Sequence, residues 1–134
     1  LANLVKPHIT LAFPFRDGMS NEDLISKLST LLKNYSPFEV TFKGISLSDD
    51  NYILLNCIKG NSILIDLHNE IYEKLIPNHF KKSINYIPHI TLGQANNLEN
   101  FSNFNYEFTT TVDEVSIEFI GEQEESIIIG NIKL

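Results

Sequence analysis

Pro7-His8-Ile9-Thr10-Leu11 recurs unchanged as Pro88-His89-Ile90-Thr91-Leu92, 81 positions further along the chain. Five identical residues in the same order, within only 134, point to an internal duplication rather than to chance. Both copies are rich in strand-forming residues and begin on proline, which a strand tolerates at its first position. Each is therefore expected to be a strand. In a strand, residues i and i+2 project from one face. His8 then points with Thr10, and Ile9 and Leu11 point into the core. His89 and Thr91 do the same against Ile90 and Leu92.

Working outward, Phe15-Arg16-Asp17-Gly18 reads as a turn. Ser20 opens a helix with Asp23 as its capping partner, and Leu24, Ile25, Leu28, Leu31 and Leu32 share a face. Pro37 ends it. Phe38 to Leu47 alternates apolar and polar residues with a slip at Gly44, a strand with a bulge. After the turn Ser48-Asp49-Asp50-Asn51, residues 52–58 pair back as a hairpin. A second helix, capped by Asn61 or Ser62, carries Leu64, Leu67, Ile71 and Leu75 on its apolar face and closes at Pro77. Beyond the second copy, a short helical segment holds Leu98 and Phe101. A strand through Val112 to Phe119 puts Val115, Ile117 and Phe119 on one face. Gly121 to Glu125 is a turn, and Ser126 to Leu134 is the last strand.

Both halves thus read as motif strand, helix, hairpin. The second copy is also preceded by a strand and a helix, whereas only six residues precede the first. By the logic of the repeat, a strand and helix of roughly 20–30 further residues are expected before it. Residues 1–134 are expected to form a single domain, lacking that N-terminal strand and helix.

The bulk composition narrows the function. A net charge of −7 argues against broad electrostatic binding to a nucleic-acid polymer, which needs many Lys and Arg contacts. The one cysteine, Cys57, excludes an intrachain disulfide and lies in the apolar run Tyr52 to Ile58, where a buried thiol is inert. No stretch approaches the length of a membrane-spanning helix, and no signal peptide is visible, so a cytoplasmic location is expected.

The duplicated His-x-Thr carries the chemistry. Two imidazoles across a cleft suit cleavage of a phosphodiester: one takes a proton from the attacking oxygen, the other gives one to the leaving oxygen. Free histidine titrates at about 6.5, so neutral and protonated rings coexist near neutral pH. The hydroxyls of Thr10 and Thr91 bond the non-bridging phosphate oxygens. A duplicated fold explains the alternating apolar residues, but not the retention of His and Thr on the polar side of both copies. A metal site is the rival, yet neither copy has a second His, Cys, Asp or Glu at i+2, and threonine is a poor zinc ligand. No metal and no cofactor is expected. The scheme needs a nucleotide or RNA-end substrate and no membrane.

Three further residues are candidates for substrate contact. Gln94 lies just past Gly93, where the strand ends. Phe13 offers a ring to stack on a base, although strict alternation places it with Ile9 and Leu11 in the core. Arg16 offers a charge for a phosphate. His68 reads as a partly exposed helical residue and His79 as a loop residue. Neither has a counterpart in the repeat, and both fall outside the expected site.

The two copies, with Gly93 after the second, resemble the 2H phosphoesterase superfamily of LigT-like 2′-5′ RNA ligases and cyclic phosphodiesterases. The Phe13-Pro14-Phe15 ending is similar to a bacterial branch of phosphoesterases. The resemblance covers nearly the whole chain. It implies a bilobal α+β fold, a pseudo-twofold pair of antiparallel sheets with flanking helices around a central cleft. It implies that His8 and His89 act as acid and base, that Thr10 and Thr91 bind phosphate, and that the substrates are 2′,3′-cyclic phosphates or 2′-5′-linked nucleotides. Many LigT-like members carry a basic residue shortly after the second motif, where this chain has Gln94. That departure and the acidic charge favour a small nucleotide or an RNA end. Two rivals share the same residues: a non-catalytic module that grips a nucleotide or RNA end, and a 2′-5′ ligase, which moves the same two protons in reverse.

Overall fold

The hairpin read from Phe38 onward forms the centre of the larger of two sheets. A computed structural model describes residues 7–80 and 85–134. Strands β1 (Phe38–Leu47), β2 (Tyr52–Lys59), β3 (His89–Gln94) and β4 (Glu107–Val112) make an antiparallel sheet in the order β3-β2-β1-β4. Strands β5 (Glu114–Ile120) and β6 (Ser126–Lys133) form a separate antiparallel pair. Two helices, α1 (Asn21–Leu32) and α2 (Asn61–Lys74), complete an α+β fold. Among the described residues, no helix is long and apolar enough to cross a membrane.

The helices join the two sheets. Leu64 of α2 packs with Val40, Phe42 and Leu55 on the back of the four-stranded sheet. Leu67 and Ile71, one and two turns further along, instead meet Leu28, Leu31 and Leu32 of α1, and Val115, Ile117 and Ile132 of the β5–β6 pair pack on that cluster. Helix α1 begins as read: the Ser20 hydroxyl accepts the Asp23 amide at 3.1 Å. The slip in β1 is also where expected, with Gly44 at φ +80° and the register against β2 shifting between Phe42 and Ile45.

Several expectations are corrected. The first motif copy is not a strand; its one ladder contact is an antiparallel bridge between Ile9 and Ile90. Side chains have taken its backbone groups. The Tyr86 hydroxyl donates to the Thr10 carbonyl at 2.7 Å, His68 Nδ1 to the Leu11 carbonyl at 2.6 Å, and the Phe13 amide to the Tyr72 hydroxyl at 3.0 Å. The strand expected through Val112 to Phe119 breaks at Asp113 into β4 and β5, which belong to different sheets. Val115 and Ile117 reach the helix cluster, whereas Phe119 lies outside it, 58% exposed. The segment at Leu98 and Phe101 shrinks to one 3-10 turn, Glu99–Phe101.

The cap of α2 is Gly60, not Asn61 or Ser62. At φ +83° it turns β2 sharply into the helix, and its α-carbon lies against the neighbouring β1 backbone. A Cβ there would collide with the Glu39 carbonyl and come within 2.8 Å of Val40 Cγ1. Gly60→Ala is therefore expected to lower stability by about 2–4 kcal/mol, from left-handed strain plus overpacking, read by urea unfolding. A loss equal to an exposed Gly→Ala change elsewhere would contradict this packing.

Candidate active site

Strand β3 lies between the first motif segment on one side and β2 on the other. Ile90 is the shared point: it faces Ile9 across the bridge and Leu55 across the β2 ladder. Ile9, Ile90 and Leu55 all belong to the cluster around Phe42. Backbone alternation therefore turns their neighbours to the opposite face. Antiparallel register carries the bridge one residue either way, setting His8 opposite Thr91 and Thr10 opposite His89. The two histidines then stand diagonally across the bridge, on adjacent segments. His8 is exposed; Thr10, His89 and Thr91 are half-buried.

The orientation of His89 is fixed. Its Nδ1 lies 2.7 Å from the Ile87 carbonyl, which can only accept, so Nδ1 carries the proton and Nε2 is the nitrogen left for exchange. The first copy is fixed from behind. His68, expected to be partly exposed, is 5% exposed and stacked on Tyr86 with ring centroids 4.0 Å apart. Together the two rings hold the carbonyls of Thr10 and Leu11. Burial, and secondarily the nearby Cys57, pushes the Tyr86 phenol well above its ordinary range, so it remains a donor. Cys57 is itself half-buried, and burial pushes its thiol up, as suits an inert cysteine.

Gln94 reaches the face of Thr91 through an irregularity. Tyr52 pairs with Gln94 and Ile53 with Gly93, but Leu54 pairs with Thr91, which leaves Leu92 as an extra residue in β3. Strict alternation would set Gln94 on the face opposite Thr91. The bulge restores it to the face shared by Tyr52, Leu54 and Thr91.

Phe13 and Phe15 are not core residues; at 39% and 36% exposure they line a concavity of about 220 Å³ with His68, Tyr72, His79 and Phe80. That concavity does not include the His-x-Thr residues. His79 sits in a 3-10 turn, its Nε2 3.0 Å from Asp17 Oδ2. The pair holds Asp17 below the usual carboxylate range. Arg16 is exposed in the loop between Phe15 and Asp17. Among the described residues, no three His, Cys, Asp or Glu side chains converge as a metal centre would require.

Two further polar residues of this face lie outside both motifs and outside the residues expected from the sequence. Asn56 of β2 pairs directly with His89, and Ser46 of β1 donates to Asn56 Oδ1 at 3.1 Å. The signal was present: an asparagine interrupts the apolar run Tyr52-Ile-Leu-Leu-Asn-Cys-Ile58.

Residues 1–119 match the family model of the 2′-5′ RNA ligase superfamily. The chain is 32% identical over 95 residues to the RNA 2′,3′-cyclic phosphodiesterase of Methanocaldococcus jannaschii, covering 69% of this chain and 53% of that protein. It thus spans about half the length of the curated relatives it matches. Its fold is similar to that of Escherichia coli LigT, solved as a complex with 3′-AMP, with a TM-score of 0.68 and 21% identity over 96% of this chain and 77% of that one. A second solved structure, of a phosphoesterase, gives a TM-score of 0.63 at 18% identity over the same 96% and 77%. The match over most of its length and the duplicated His-x-Thr agree: this chain belongs to the 2′-5′ RNA ligase superfamily, the 2H phosphoesterases.

Proposed function

We propose that the chain is a metal-independent phosphodiesterase of 2′,3′-cyclic phosphates or 2′-5′-linked nucleotides and RNA ends. The observation that carries this reading is the Ile9–Ile90 bridge, beside which strand alternation would turn two imidazoles and two threonines to one face. The Methanocaldococcus relative, an RNA 2′,3′-cyclic phosphodiesterase, and the 3′-AMP held by LigT support the substrate class.

For a 2′,3′-cyclic phosphate, one histidine takes a proton from water as the water oxygen bonds to phosphorus. The bond from phosphorus to one ribose oxygen breaks, and the other histidine protonates that oxygen. The product is a phosphate monoester. The two rings finish with their protonation states exchanged, and solvent restores them. Thr10 and Thr91 donate to the non-bridging oxygens and keep the attack in line. Gln94 contacts the substrate from the end of β3. Phe13, from the separate concavity lined with Phe15 and Tyr72, offers a ring for a base that extends beyond the His-x-Thr face, and Arg16 of the adjoining loop offers a charge for a further phosphate.

Purified protein given adenosine 2′,3′-cyclic monophosphate should release a single adenosine monophosphate. The rate should be unchanged by EDTA, and kcat/KM should be bell-shaped in pH, because one ring must be neutral and the other protonated. Tight binding without turnover across cyclic and 2′-5′-linked substrates would instead mark a binding module. An EDTA-abolished rate would point to metal chemistry.

A further inference from the structure

The site's polar face does not end at the two motifs. On the far side of His89 from Thr10 stands Asn56, its direct cross-strand partner on β2. Directly opposed residues of an antiparallel pair hold their Cβ atoms about 4.5–5.5 Å apart, so the Asn56 amide and the His89 ring are side by side. Thr10, His89 and Asn56 form one row across three segments; His8, Thr91 and Leu54 form the next.

The orientation of the amide is set. The Ser46 hydroxyl donates to Asn56 Oδ1, so the carbonyl end faces β1. The Nδ2 end then carries two N–H donors without an acceptor among the described residues, in a half-buried side chain. Structural need does not account for an asparagine here. Its neighbours along the strand, Leu54 and Ile58, show that this face of β2 accepts apolar side chains. A donor pair held rigid beside the reacting imidazole is what a phosphate oxygen requires.

We infer that Asn56 is a further substrate-binding residue, its amide N–H groups donating to a phosphate oxygen beside His89 while Ser46 holds the amide in place. The inference rests on the reading of the His-x-Thr face as a phosphodiester site, and names a residue outside both motifs.

The test is binding of 3′-AMP and of adenosine to the whole chain by calorimetry, for the wild type and for Asn56→Leu, Asn56→Ala and Ser46→Ala. Asn56→Leu keeps the branched shape at Cγ and removes the donors without adding charge. Both Asn56 variants are expected to weaken 3′-AMP by about 10–100-fold, the scale of a hydrogen bond to a charged group, and to leave adenosine unchanged. Ser46→Ala, which only frees the amide to rotate, should give a smaller loss in the same direction. If wild-type protein hydrolyses the cyclic nucleotide while both Asn56 variants bind 3′-AMP as tightly as it does, the inference is overturned and the two-histidine reading stands. Equal losses for 3′-AMP and adenosine would also overturn it, since a merely structural residue acts on both.

Discussion

Replacing His89 with alanine is expected to lower kcat for a 2′,3′-cyclic nucleotide by about 10²–10⁴-fold and to change KM little. In the proposed mechanism the ring exchanges a proton in the transition state, and most of the ground-state grip comes from hydroxyl and amide donors around the phosphate. The bond from Nδ1 to the Ile87 carbonyl commits that nitrogen to a structural role and leaves Nε2 for the chemistry. His89→Gln separates the two functions. Glutamine can donate to the same carbonyl but cannot exchange protons, so it should be as slow as alanine. Stability should fall by less than about 1 kcal/mol, since His89 is only half-buried. A His89→Gln variant that recovers most of the rate would mean that the residue positions rather than reacts.

Phe42→Ala should give the largest loss of stability, about 3–5 kcal/mol, or a Tm lower by roughly 10–15 °C. Phe42 is fully buried on the core face of β1, stacked on Phe108 of β4 with ring centroids 5.3 Å apart. It packs with Val40, Leu55 and Leu64, so it ties the sheet to α2. Its neighbours Val40, Leu55 and Leu64 are themselves buried, so the cavity that alanine would leave closes only in part. Because Ile90 and Ile9 rest on the same cluster, this core also supports the site from behind. Far below the melting temperature, turnover per folded molecule should change much less than it does for His89→Ala. A Tm shift of only a few degrees would show that the cluster relaxes into the space.

The parts of this fold that are legible in the sequence rest on local physics. Ser20 caps its helix because the required amide lies three residues away. Gly44 marks its bulge because few other residues adopt φ +80°. What the sequence does not disclose depends on distant partners. The first motif copy has the composition of a strand, yet its carbonyls are held by His68 and Tyr86, 57 and 76 positions from their acceptors. The same contacts explain why His68 is buried, although its helical neighbourhood reads as exposed. Gln94 has the wrong parity until the extra residue at Leu92 is counted, and that residue is defined only by the pairing with β2. Asn56 is hidden by its surroundings: five apolar residues and a cysteine describe a buried strand, and the direction of the one polar side chain follows only from the register with His89.

The central claim is that His8 and His89 act as one acid–base unit. It is tested most directly by turnover of adenosine 2′,3′-cyclic monophosphate by His8→Ala, His89→Ala and the double variant, beside wild type. The account predicts that each single variant loses about 10²–10⁴-fold and that the double variant loses far less than the product of the two, because a unit broken once has little left to lose. A double variant with wild-type activity would contradict it outright.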